Sequence, residues 1–119
     1  MISNERHELL KKLLNFSQPI HEIAVQLSYL NWDYDRVGVE ITKKHLEIAL
    51  QKFLCNELTN SDVEYWANLI EGREDFEFNL NFKQLIENIL YELANPILTQ
   101  PLNIERAKYL LNELSSHKD

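Results

Sequence analysis

The pattern that most constrains this chain is an apolar side chain recurring at i, i+3, i+4 and i+7, clearest at Val63, Trp66, Ala67 and Ile70. That spacing lines one face of a 3.6-residue helix, so residues 61–71 are expected to be helical with this face buried. Ser61 and Glu64 read as an S-x-x-E capping box at its start. Gly72 reads as the residue just past its end, where a left-handed backbone penalises any side chain. The same period returns along the chain. Leu9, Leu10, Leu13 and Leu14, then Phe16, mark a first helix that Ser3 can cap. Ile20, Ile23, Ala24, Leu27 and Leu30 mark a second, with Pro19 in its first turn, where a missing N–H is no loss. Thr42 opens a third, striped by Leu46, Ala49, Leu50, Phe53, Leu54 and Leu58. Phe82, Leu85, Ile86, Ile89, Leu90 and Leu93 carry a fifth, ended at Ala94-Asn95-Pro96 because a residue before proline leaves helical space. Asn103 caps a last helix with Ile104, Ala107, Leu110, Leu111 and Leu114 facing inward, and residues 115–119 trail off.

Only two Gly and three Pro among 119 residues leave little material for tight β-turns. The expected fold is therefore all-α: a compact bundle of five to six short amphipathic helices, with residues 1–119 as a single domain. Trp66, Leu50 and Leu90 lie mid-stripe and are expected among the most buried side chains. Two stretches depart from the helical period. Val37, Val39 and Ile41 alternate, as do Phe76, Phe78, Leu80 and Phe82, so a short extended piece is expected at each. Whether residues 37–41 and 76–80 pair as a minimal ribbon is left open.

The net charge of −7 is unevenly placed. Residues 1–59 carry 8 acidic and 7 basic side chains, whereas residues 60–119 carry 11 acidic and 5 basic. A surface of that sign repels phosphate backbones, which argues against direct nucleic-acid binding and binding to an anionic membrane. A basic protein partner fits the field, because complementary charge speeds encounter. No apolar run approaches the roughly 20 residues a membrane helix needs. The N-terminus has acid and base where a signal peptide has its apolar core, so the expected compartment is the cytoplasm.

Reactive chemistry is not visible in the residues. The phosphate-cradling and dinucleotide glycine motifs, H-E-x-x-H and G-x-S-x-G do not occur. Cys55 is the single cysteine, read as a semi-buried helical residue, so no internal disulfide or thiolate cluster can form. His7, His21, His45 and His117 show no ligand spacing. Asp33, Asp35 and Gly38 sit at positions 1, 3 and 6 of an EF-hand loop, yet Val37 and Lys44 occupy positions that need oxygen ligands. No metal, cofactor or catalytic residue is expected. Glu71, Glu74, Asp75 and Glu77 instead form an acidic loop interleaved with Arg73 and aromatic residues, and Trp32 and Tyr34 are candidate aromatic anchors.

The run W-A-N-L-I-E-G-R-E-D over residues 66–75, followed by L-A-N-P over 93–96, resembles small helical bacterial immunity proteins of the colicin and contact-dependent growth-inhibition type. The resemblance spans residues 61–114. It implies a non-enzymatic, cofactor-free protein that binds a cognate nuclease toxin domain and blocks it. On that reading Glu71, Glu74, Asp75 and Glu77, with Trp32 or Tyr34, form the toxin-facing surface. The alternative is a helical interaction or adaptor module, in some cases homo-oligomeric.

Overall fold

Trp66 and its neighbours occupy a helix whose buried face is Val63, Trp66, Ala67 and Ile70, the four positions set by the spacing. The structure is a computed structural model that describes residues 5–29, 39–71 and 76–116. Among these, six helices follow one another: α1 (Glu5–Asn15), α2 (Ile20–Ser28), α3 (Lys43–Leu54), α4 (Asn60–Glu71), α5 (Lys83–Ala94) and α6 (Ile104–Ser116). Two three-residue strands, β1 (Val39–Ile41) and β2 (Phe76–Phe78), interrupt the order, and a 3-10 turn (Leu80–Phe82) leads into α5. The fold is thus a mostly α-helical bundle. Its main helix pairs are α4 with α5 and α3 with α6.

The ribbon left open by the alternation is present. Val39 pairs with Phe76, Glu40 with Glu77 and Ile41 with Phe78, in parallel register. Parallel strands cannot be joined by a tight turn. Here α3 and α4 both lie in the connection between them. The Asn79 N–H extends the ladder by one bond to the Ile41 carbonyl (3.1 Å). Val39, Ile41 and Phe76 turn into the core.

Trp66 sits at the centre of that core and is fully buried. Its Nε1–H donates to the Leu13 carbonyl in the last turn of α1 (2.9 Å). The Ser17 N–H that would continue the helical ladder to Leu13 turns back to Lys12 O instead (3.0 Å). Such end carbonyls need an outside partner, and a buried indole N–H needs an acceptor, so one bond serves both. Phe16 stacks on the indole with centroids 5.2 Å apart. Leu50 and Leu90 are buried as expected.

Several helix ends differ from expectation. The capping box of α4 is built by Thr59 and Asp62, not Ser61 and Glu64. The Thr59 N–H donates to Asp62 Oδ2 (2.9 Å) and the Asp62 N–H to Thr59 Oγ1 (3.1 Å). With Thr59 as cap, Leu58 and Val63 fall at the two positions of a hydrophobic staple, which the other register would give to Asn60 and Tyr65. Leu58 accordingly lies beyond α3, packed on the core from the turn. Pro19 precedes the first residue of α2 as its N-cap. Asn103 caps α6 through Oδ1, which accepts the Arg106 N–H (2.8 Å). Ile104, expected inward, is largely exposed at the first turn. Leu80 is also exposed, because the turn at Asn79 ends the alternation. Lys43 stands against the dipole preference at the start of α3, and its ammonium lies 3.9 Å from the Phe82 ring centroid, a cation–π contact. Ser3 and Gly72 lie outside the described residues.

Replacing Trp66 with Ala should cost about 3–5 kcal/mol, as truncation of a large core aromatic does. Trp66→Phe fills most of the volume but strands the Leu13 carbonyl, and should still cost roughly 1–3 kcal/mol. Urea unfolding measures both; a Trp66→Phe variant as stable as the wild type would show that the buried bond contributes nothing.

Candidate partner-binding surface

Of the acidic loop's carboxylates, the described Glu71 and Glu77 lie in two different neighbourhoods. Trp32, Tyr34, Arg73, Glu74 and Asp75 lie outside the described residues, as do Asp33, Asp35 and Gly38. Glu77 is exposed on β2 and stands in register with Glu40 on β1, so two carboxylates from distant parts of the chain share the outer face of the ribbon. Like charges directly opposed on a sheet disfavour each other. Asn79 Nδ2 donates to Glu40 Oε2 (2.8 Å), which spreads part of that charge. Glu40 escaped notice in the sequence because only the parallel pairing brings it beside Glu77.

Glu71 ends α4 and faces a different element. Its Oε1 accepts a hydrogen bond from Asn95 Nδ2 (3.3 Å), just past the end of α5. The same Nδ2 donates to the Tyr91 carbonyl (2.9 Å). The Asn95 carbonyl in turn accepts the Leu98 N–H (3.1 Å), the Thr99 N–H (3.0 Å) and the Thr99 hydroxyl (2.8 Å). Asn95 therefore organises the connection from α5 to α6. At the far end Leu102 is buried, and Arg106 clamps Glu92 with two bonds of 2.7 Å. A bidentate pair of this kind combines charge with fixed direction. The Arg106 guanidinium also lies 4.5 Å from the Tyr109 ring centroid. Bonding to Glu92 holds Arg106 still more firmly in its charged form.

This anchored connection carries Ile97 and Leu98 at its tip, with 97% and 73% of their surfaces exposed. Tyr91, whose carbonyl Asn95 holds, is also exposed. Two adjacent aliphatics presented to water on a hydrogen-bonded frame make an apolar knob, with Glu71 tied to its base. Contiguous apolar side chains exposed in this way mark candidate interaction sites. Periodicity missed it because I-L-T-Q-P-L matches neither the helical nor the strand repeat. The available signal was two aliphatics set between Pro96 and Pro101.

The remaining candidates add no chemistry. Among the described residues, no group of three or more His, Cys, Asp or Glu side chains could hold a metal ion. Cys55 is exposed at the end of α3, not semi-buried, because the helix stops before it. Among the described residues no helix is long and apolar enough to cross a membrane. The chain matches no protein-family model, and no curated protein or solved structure is significantly similar to it.

His45 is the titrating group with a defined structural role. The Thr42 N–H at the start of α3 donates to its Nδ1 (3.1 Å), which requires the neutral ring with its proton on Nε2. Burial lowers its pKa below the ordinary value, against a smaller upward pull from Glu40. The folded state thus favours neutral His45. Its contribution is complete above pH of about 6.5 and is lost as pH falls from there through the folded-state value. A His45→Gln variant keeps an acceptor at this capping position without titrating. Thermal unfolding across that window should show the wild type losing more stability than His45→Gln on acidification; parallel curves would contradict the assignment.

Proposed function

We propose that this chain is a non-enzymatic protein-binding module of the immunity type, which covers a basic surface of a cognate nuclease toxin domain. The observation that carries this reading is the Ile97–Leu98 knob, held by backbone and side-chain bonds and tied at its base to Glu71. An apolar knob on a prepared frame loses little conformational freedom on docking, so more of its contact energy appears as affinity. The acidic carboxylates, Glu71 beside the knob and Glu40 with Glu77 on the ribbon, supply long-range attraction to a basic partner. A domain that holds RNA or DNA is basic where its substrate lies, and an acidic module competes for that surface. The likeness of residues 66–75 and 93–96 to immunity proteins supports the same reading; the second stretch directly precedes the knob in sequence, and Glu71 of the first bonds to Asn95 at its base. Glu74, Asp75, Trp32 and Tyr34 remain part of the proposed toxin-facing surface on that resemblance.

The knob equally suits an adaptor that pairs with itself, which makes self-association the second reading. The test is binding to, and protection against, the basic nuclease domain encoded in the neighbouring gene. Ile97→Ser with Leu98→Ser should weaken binding by roughly 30-fold or more, on the scale of a hot-spot loss of about 2 kcal/mol, while leaving the thermal midpoint unchanged. Glu71→Lys with Glu77→Lys should instead slow association and flatten its salt dependence. Wild-type binding by the knob variant, or a genome with no such neighbour, would overturn the immunity reading. A concentration-dependent dimer in sedimentation that the knob variant abolishes would establish the adaptor.

A further inference from the structure

A second region stands apart from the knob and does not depend on the immunity reading. A cleft of about 480 Å³ opens between the α1–α2 turn and the α3–α4 turn, lined by Phe16, Gln18, Lys52, Glu57, Asp62 and Tyr65 among others. Two local costs of folding fall on the same short turn. Phe16 holds a left-handed backbone (φ 56°), a conformation that disfavours a bulky side chain. It is kept there by its stack on Trp66 and by the Ser17–Lys12 bond. Gln18 buries its Oε1 with no hydrogen-bond partner, although the rest of the side chain is partly exposed. A buried acceptor left unpaired is rare in folded proteins and asks for an explanation.

The lining sets the chemistry that answers it. Glu57 and Asp62 against Lys52 leave one negative charge in excess. Aromatic faces lie close by: Phe16, and Tyr65 with its ring centroid 6.5 Å from that of His21. The cleft already receives one cation of its own. Lys52 Nζ lies 5.7 Å from the Phe16 ring centroid and 3.1 Å from Glu57 Oε1. Ring, carboxylate and unpartnered acceptor together describe a receiver of N–H donors carried on a flat cation. An anion approaching the start of α2 would meet the carboxylates of Glu57 and Asp62.

We infer that this cleft binds a guanidinium group, from free arginine or from an arginine side chain of a basic protein. The planar cation stacks on the aromatic faces, takes Glu57 from Lys52, and donates to Gln18 Oε1 as the amide turns outward. Arginine suits this better than lysine because its donors form a fork that reaches two acceptors at once. Lys52 is then a tethered competitor, and Gln18 is a residue whose burial burdens the free fold and is relieved by ligand.

The test is an NMR titration of the full chain with N-acetyl-L-arginine amide, free L-arginine, N-acetyl-L-citrulline amide and inorganic phosphate. The blocked arginine should give saturable shifts of the Phe16, Tyr65 and His21 ring signals, and the uncharged citrulline analogue should bind about tenfold more weakly or worse. Gln18→Leu should weaken arginine binding about tenfold while raising the thermal midpoint, a pairing that a purely structural glutamine would not produce. Lys52→Met should tighten it. Free arginine binding as well as the blocked form assigns the free amino acid as the ligand; weaker binding, from its carboxylate facing Glu57 and Asp62, assigns a protein-borne arginine. The inference is overturned by the absence of saturation, by equal binding to Gln18→Leu, or by phosphate binding that exceeds arginine binding.

Discussion

The hydrogen bond from the Trp66 indole to the Leu13 carbonyl is the contact on which the rest of the molecule depends. It joins the end of α1 to the middle of α4 and is made where no water competes. It also fixes the rotation of α4 about its axis. With Val63, Trp66, Ala67 and Ile70 turned inward, Asn68 and Glu71 are left to meet the end of α5, where Asn68 Nδ2 donates to the Ala94 carbonyl (3.2 Å). The same indole carries Phe16, so the α1–α2 turn and the cleft beside it are set by the core.

Under the proposed function the acidic and apolar parts of the surface have separate tasks. The carboxylates act at a distance and are tuned by salt, whereas Ile97 and Leu98 act only on contact. What makes the knob more than a scatter of exposed aliphatics is its support. Asn95 receives three bonds on one carbonyl, and Arg106 ties the start of α6 to Glu92 in α5. A flexible loop of the same composition would forfeit much of its contact energy in ordering on arrival.

Much of the architecture was legible because helix burial has a period. Each described stripe faces the core at most of its positions, and Trp66, Leu50 and Leu90 are as buried as their places require. Legibility failed where two local solutions compete. Thr59–Asp62 and Ser61–Glu64 both spell a capping box, and the choice turns on which register lets Leu58 join the core. It failed again where tertiary structure alone supplies a neighbour: nothing near Glu40 in sequence announces Glu77, since parallel pairing spans two helices. The knob was illegible for the opposite reason. A segment that faces water has no core to impose a repeat, so Ile97 and Leu98 read as connection.

On the proposed function the apolar knob is held ready on a rigid frame before any partner arrives. Backbone order parameters for Ile97 and Leu98, from 15N relaxation of the free protein, address it most directly. Values near about 0.85, equal to those of α5 and α6, are predicted, and values below about 0.6 would show a loop that must be ordered on binding.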